Sequence, residues 1–220
     1  MNDFAETTSG SLARKPRQER SRRSLQKMLQ TAKRMLAKEG YSAFTLQELS
    51  KRSDVSIGSI YHRFENKQEL VRHVQVDVLE TIENEHAVLV NQLRRRKLPL
   101  RKLVPAVVRT YGEFLHKHAP ILRVFMELAP QDAVISETGK RYFAQSMLDL
   151  KFLLLDARAE IGHSDPEHAV DAALNIIYAV LGRYLGLSMA RDVIGEGDWN
   201  VLVEDLSLMT LLFLQVGHEA

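Results

Sequence analysis

The segment Asp54-Val-Ser-Ile-Gly-Ser-Ile-Tyr-His-Arg-Phe64 concentrates groups suited to reading another molecule's surface. On a helix, Val55, Ile60 and Phe64 turn inward, leaving Ile57, Gly58, Ser59, Tyr61 and His62 on one outer face. That face can do hydrogen-bonding chemistry rather than bond-making chemistry. A serine hydroxyl or an imidazole can meet a base edge or a phosphate, an isoleucine can contact a thymine methyl, and a glycine lets two backbones approach closely.

Elsewhere the residue types that make and break bonds do not fall at working spacings. With no cysteine, thiol nucleophiles, disulfides and thiolate metal sites are excluded. Gly139-Lys140 has Val134 where a phosphate loop needs its first glycine, and Gly195-Glu-Gly197 has Asn200 where a dinucleotide loop needs its third. His116 and His118 diverge on a helix, and His163 and His168 flank a break without a partnered carboxylate pattern, so neither a metal nor a cofactor is expected. No serine sits in a nucleophile elbow. An enzyme is not expected.

The charge distribution agrees with polyanion recognition. The formal net charge is only +2, but residues 12–64 hold 13 Lys and Arg against 4 Asp and Glu, an excess of nine. The rest of the chain is acidic, which suggests a polyanion-binding module joined to a body with another task. Residues 1–10 show no apolar run behind a basic stretch, and nowhere do about 18 apolar residues run uninterrupted. A soluble, cytoplasmic protein without membrane partners is expected.

The elements that must position the outer face are helical, because apolar residues recur at three- and four-residue spacing and no strand-like alternation stands out. The fold class is therefore all-α, with about nine helices. Leu25, Met28, Leu29, Ala32, Met35 and Leu36 define the first, and Gly40 stands where a helix stops. Thr45-Leu-Gln-Glu48 reads as a capping box opening a short second helix. Asp54 suits a left-handed turn residue, and Ser56 caps a third helix ending near Phe64. Asn66 and Glu69 repeat the capping pattern for a long fourth helix ending near Arg94 to Lys97, where the basic run complements the helix dipole. Larger helices are expected at about 100–118, 119–128, 132–161, 166–191 and 198–216, punctuated by Pro120, Pro130, Gly162, Pro166 and Gly195 to Gly197. Pro105 must lie in a first turn or kink its helix.

Two short helices joined by a tight turn and braced by a preceding helix form a helix-turn-helix, whose second helix enters the DNA major groove. The ordered run Gly40-Tyr41, Thr45-Leu-Gln-Glu-Leu-Ser, Asp54 to Phe64 and Asn66-Lys-Gln-Glu-Leu70 resembles the N-terminal domain of TetR-type (TetR/AcrR family) transcriptional regulators over roughly fifty residues. Asp54 and Arg63 depart from the glycine and histidine frequent in that family. The resemblance implies that Gln47 lies near the bases and that Thr45, Tyr61, Arg63 and Lys67 contact phosphates, with Ser56, Ile57, Gly58, Ser59 and His62 completing the DNA-binding set. The basic residues Arg14 to Arg23 form either an arm along the DNA backbone or a solubilising tail. The expected organisation is a flexible basic arm at 1–19, the helix-turn-helix domain at 20–66, and a helical ligand-binding and dimerisation domain at 67–220.

The last two expected helices are apolar nearly all round, which calls for cover from a second subunit. Ile177, Leu181, Gly182, Leu185, Gly186, Leu208 and Leu212 are the interface candidates, the two glycines permitting close helix approach. The resemblance further implies a homodimer on a palindromic operator and an unidentified small apolar or amphipathic effector. That effector would enter among the fifth to eighth helices, displace the fourth and release DNA, with Tyr111, Phe114, Phe125, Phe143, Met147 and Tyr178 as lining candidates. An activator or architectural DNA-binding protein without a ligand switch is the alternative.

Overall fold

In the computed structural model the described residues are 9–187 and 197–216, with side chains from residue 19 onward. Among them the structure is all-α, with eight α-helices and one short 3-10 turn. The chain divides into two compact units, residues 1–77 and 78–220.

In the N-terminal unit, α1 (Ser9–Ala43) is broken at Gly40, whose φ of 78° only glycine adopts freely. The basic segment expected as an arm is helical backbone from Ser9 onward and continues into this helix. Met28, Ala32, Met35 and Leu36 form its buried stripe. Helix α2 (Leu46–Ser53) begins at the Thr45 cap, whose hydroxyl accepts from the Glu48 amide at 3.2 Å. The expected box is only half formed, because the Glu48 carboxylate accepts instead from Arg52 Nε at 2.7 Å. Asp54 sits in the left-handed region at φ 54°, and α3 (Ile57–Tyr61) follows from the Ser56 cap. Ser50 Oγ donates to the Val55 carbonyl at 2.7 Å, tying the turn to α2. Helix α4 (Lys67–Arg95) gives its first turns to this unit and the remainder to the next. Asn66 Oδ1 accepts from the Glu69 amide at 2.9 Å at its start.

The C-terminal unit is organised on α5 (Leu100–Leu128), which packs against α6 (Ala133–Leu155), α7 (Pro166–Tyr184) and α8 (Trp199–Gln215). Three corrections to the expected helices emerge. The break at Pro120 does not occur, and both Pro105 and Pro120 lie inside one 29-residue helix. A proline forfeits one helical hydrogen bond; here burial of His118, Ala119, Ile121, Val124 and Phe125 around Pro120 holds the helix together. Second, the helix expected to reach Ile161 ends at Leu155. The Gly162 amide donates to the Leu214 carbonyl at 2.9 Å in α8 instead of closing another helical turn.

Third, the helix expected to reach Arg191 ends at Tyr184 in a Schellman cap. The Leu187 amide donates to the Gly182 carbonyl at 2.7 Å, the Gly186 amide to the Arg183 carbonyl at 3.1 Å, and Gly186 adopts φ 66°. Residues 188–196, with most of the expected Gly195 to Gly197 break, lie outside the described residues. Asp132, Asp165 and Asp198 cap α6, α7 and α8 through backbone amides. No helix among the described residues is long and apolar enough to cross a membrane.

Candidate nucleic-acid interface

The geometry of the N-terminal unit follows from three buried side chains. Val55, Ile60 and Phe64 are 6%, 0% and 3% exposed, which fixes the rotation of α3 and turns its other side outward. Ser56, Ile57, Gly58, Ser59, Tyr61 and His62 are all exposed, as are Thr45 and Gln47 at the start of α2. Space around Gly58 is open, with nothing within 4 Å of where a Cβ would stand. The glycine is therefore not required by packing; what it leaves free is the approach of an outside surface to the helix backbone.

Several of these side chains already have internal work. Ser56 Oγ accepts from the Ser59 amide at 3.2 Å and pairs with the Ser59 hydroxyl at 2.8 Å, so Ser56 acts as the helix cap. Arg63 is half-buried, and its guanidinium donates to the Ser21 carbonyl at 3.1 Å and hydroxyl at 2.7 Å, holding α1. Lys67 Nζ donates to the Tyr41 carbonyl at 2.7 Å and lies 3.9 Å from the centroid of the Tyr41 ring. Burial pushes its ammonium below the usual lysine value. Arg63 and Lys67 thus lock neighbouring elements while retaining further N–H donors. That structural use was not visible in their spacing, because Ser21 and Tyr41 are far away in sequence. Outside this unit, Arg94 in the last turn of α4 donates from Nε to Asp156 at 2.8 Å.

The lining candidates of the C-terminal unit do not all converge. Tyr111 and Phe114 line one narrow cleft together with His86, Leu89, Val107 and Leu150. Phe125 is buried elsewhere in the core, while Phe143 and Tyr178 pack on each other at 4.4 Å between ring centroids and, with Met147, are half-buried outside the cleft. Burial raises the phenol pKa of both Tyr111 and Tyr178. His86 was missed by sequence reasoning, although a signal existed: it falls on the same α4 stripe as Ile82 and Val90 and is only 2% exposed.

The expected interface residues divide in the same way. Ile177, Leu181 and Leu185 are buried within the unit, and Gly182 and Gly186 build the α7 cap. Leu208 and Leu212 are 56% and 52% exposed. Helices α7 and α8 are therefore not apolar surfaces awaiting cover all round; each has a face inside its own unit. The outward apolar residues are Ile176 on α7 and Val201, Leu208, Met209, Leu212 and Val216 on or just after α8.

A capped α2, a left-handed turn and an outward-facing α3 braced by α1 define a helix-turn-helix protein. Residues 28–74 match the family model described as bacterial regulatory proteins, tetR family. It is 28% identical over 107 residues to the HTH-type transcriptional repressor KstR2 of Mycolicibacterium smegmatis, a match covering 49% of this chain and 50% of that relative. The match thus spans about half the length of the curated relative. Similarity of fold extends further. A Mesorhizobium loti chain described as a TetR-family transcriptional regulator superposes with a TM-score of 0.72 at 15% identity, covering 89% of this chain and 96% of that one. The fatty acid degradation regulator FadR from Bacillus halodurans superposes with a TM-score of 0.57 at 16% identity, covering 86% of this chain and 94% of that one.

Proposed function

We propose that this chain is a sequence-specific DNA-binding transcriptional regulator, a repressor that binds a palindromic operator as a homodimer and is released by a small apolar or amphipathic ligand. The observation that carries this reading is the outer face of α3, where five exposed residues surround a glycine that packing does not need. Gln47 and His62 read base edges, while Thr45, Tyr61, Arg63 and Lys67 meet phosphates, whose contacts position the protein without carrying sequence information. The exposed apolar stripe of α8 supports self-association, since two copies can cover it mutually. The domain roles follow: residues 20–66 read DNA, 67–220 bind the effector and dimerise, and the basic residues before them add backbone affinity. Reading chromosomal DNA places the protein's work in the cytoplasm.

Release requires the ligand to prefer a conformation that binds DNA poorly, because equal affinity for both shifts nothing. Helix α4 carries the coupling, since one end follows α3 in the chain and the other lines the cleft. Salt-titrated binding to a selected operator tests the DNA-reading part. Lys67→Ala is expected to weaken binding to all sequences and to flatten the salt slope by about one, whereas replacing Gln47 or His62 changes which sequence is preferred. A Lys67→Ala protein with unchanged affinity and salt slope contradicts the assignment.

A further inference from the structure

The cleft in the C-terminal unit has one polar group that the fold leaves unsatisfied. His86 is 2% exposed, and its Nε2 is shielded from solvent with no hydrogen-bond partner. The ring lies between two aromatic side chains, 6.0 Å from the Tyr111 centroid and 5.5 Å from that of Phe114. Both rings line the same cleft, with Leu89, Val90, Leu93, Val107, Leu150 and the half-buried Thr110. A buried acceptor or donor without a partner costs free energy that an apolar residue at this position would not, and the lining is otherwise mostly apolar, with the Thr110 hydroxyl and Tyr111 phenol as its other polar groups.

The other ring nitrogen indicates which chemistry Nε2 offers. Nδ1 lies 3.7 Å from the Asp149 carboxylate, longer than a hydrogen bond, but the negative charge there favours placing the proton of the neutral imidazole on Nδ1. Nε2 then carries a lone pair. Burial also lowers the imidazole pKa, against an opposing effect of Asp149, which favours the neutral ring.

We infer that His86 Nε2 is the polar anchor of the effector site, accepting a hydrogen bond from a hydroxyl on an otherwise apolar, slender ligand. This inference rests on the ligand-release reading for its biological use, but the binding site itself stands on the geometry of the C-terminal unit. A hydroxyl satisfies the orphan acceptor while its hydrocarbon part replaces contacts among the leucines and valines. An anionic head would bring a second negative charge towards Asp149. The closed cleft is narrow, so an entering chain must part the helices that line it, α4 among them, and that displacement links occupancy to the DNA-reading unit.

Three probes of equal chain length separate the possibilities: 1-hexanol, 1-methoxypentane, which lacks the O–H donor, and hexanoate. Each is titrated into the full-length protein, with binding read from the nitrogen resonances of His86, assigned through its contacts to Tyr111 and Phe114. Hexanol is expected to bind about tenfold more tightly than the ether and to shift Nε2 while leaving Nδ1 protonated; hexanoate is expected to bind more weakly than hexanol. His86→Phe should bind alcohol and ether alike. The wild-type nitrogen shifts remain decisive if that variant does not fold. Equal affinity for alcohol and ether, tightest binding of hexanoate, an alcohol preference surviving in His86→Phe, or no binding of any probe at millimolar concentration would each overturn the inference. Operator binding is followed in the same titrations. Hexanol bound at His86 without loss of DNA contradicts the release reading but not the site, whereas loss of DNA independent of His86 contradicts the site but not release.

Discussion

At Gly58, stability and the proposed recognition make opposite demands. A methyl group there meets nothing within 4 Å, and alanine is the better helix former by roughly 0.5–1 kcal/mol. Gly58→Ala is therefore expected to leave the thermal midpoint equal or slightly raised while weakening operator binding, as the added Cβ holds α3 away from the groove floor. A variant that is stabilised and binds DNA normally would mean that Gly58 does not face the bases. Glu85 gives a second residue-scale expectation. Its carboxylate accepts from Lys117 Nζ at 2.6 Å and pairs with His118 Nε2 at 2.9 Å, and the lysine hydrogen bond foremost holds it below its usual value of 4.5. A carboxylate depressed on folding contributes stability in full above its unfolded pKa and loses it as pH falls towards the folded one. The stability difference between wild type and Glu85→Gln, measured by urea unfolding, should therefore shrink as pH is lowered through that window. A difference independent of pH would show that the pair contributes no charge-dependent stability. The outward residues of α3 were legible from periodicity, because three inward apolar side chains fix the helix rotation. His86 was not, because a lone histidine on an apolar stripe carries no spacing motif and its significance appears only beside Asp149, Tyr111 and Phe114.

Caps and turns explain most of what the sequence revealed about elements. Thr45, Ser56 and Asn66 are local caps whose partners lie three residues on, Asp54 supplies the left-handed turn, and the structure uses all four at the expected boundaries. Boundaries set by distant contacts were less legible. Pro120 is held inside α5 by buried neighbours, and the end of α6 depends on Gly162 reaching Leu214 in α8. Gly182 and Gly186 illustrate the same limit. Their four-residue spacing suggested close helix approach, but Gly186 supplies the left-handed residue of the α7 cap. Gly186→Ala is accordingly expected to destabilise by about 1 kcal/mol. Gly182→Ala should be tolerated, because its added Cβ would meet only ordinary contacts at 3.9 Å and beyond. Chemical denaturation of the two variants checks this, and equal large losses for both would favour a packing role over the cap.

For the whole molecule, the small net charge of +2 masks a division of labour. The proposed function assigns DNA reading to the basic module, and effector binding and self-association to the acidic helical body. The proposed homodimer ties operator symmetry to protein symmetry, since two α3 helices related by a two-fold axis would enter successive major grooves about one helical turn apart. Selection of bound duplexes from a random DNA library by the purified full-length protein examines this directly. Enrichment of an inverted repeat, its half-sites spaced by about one turn, is the expected result. Recovery of no shared sequence, or of a single asymmetric site bound by a monomer, would contradict the dimeric DNA-reading function.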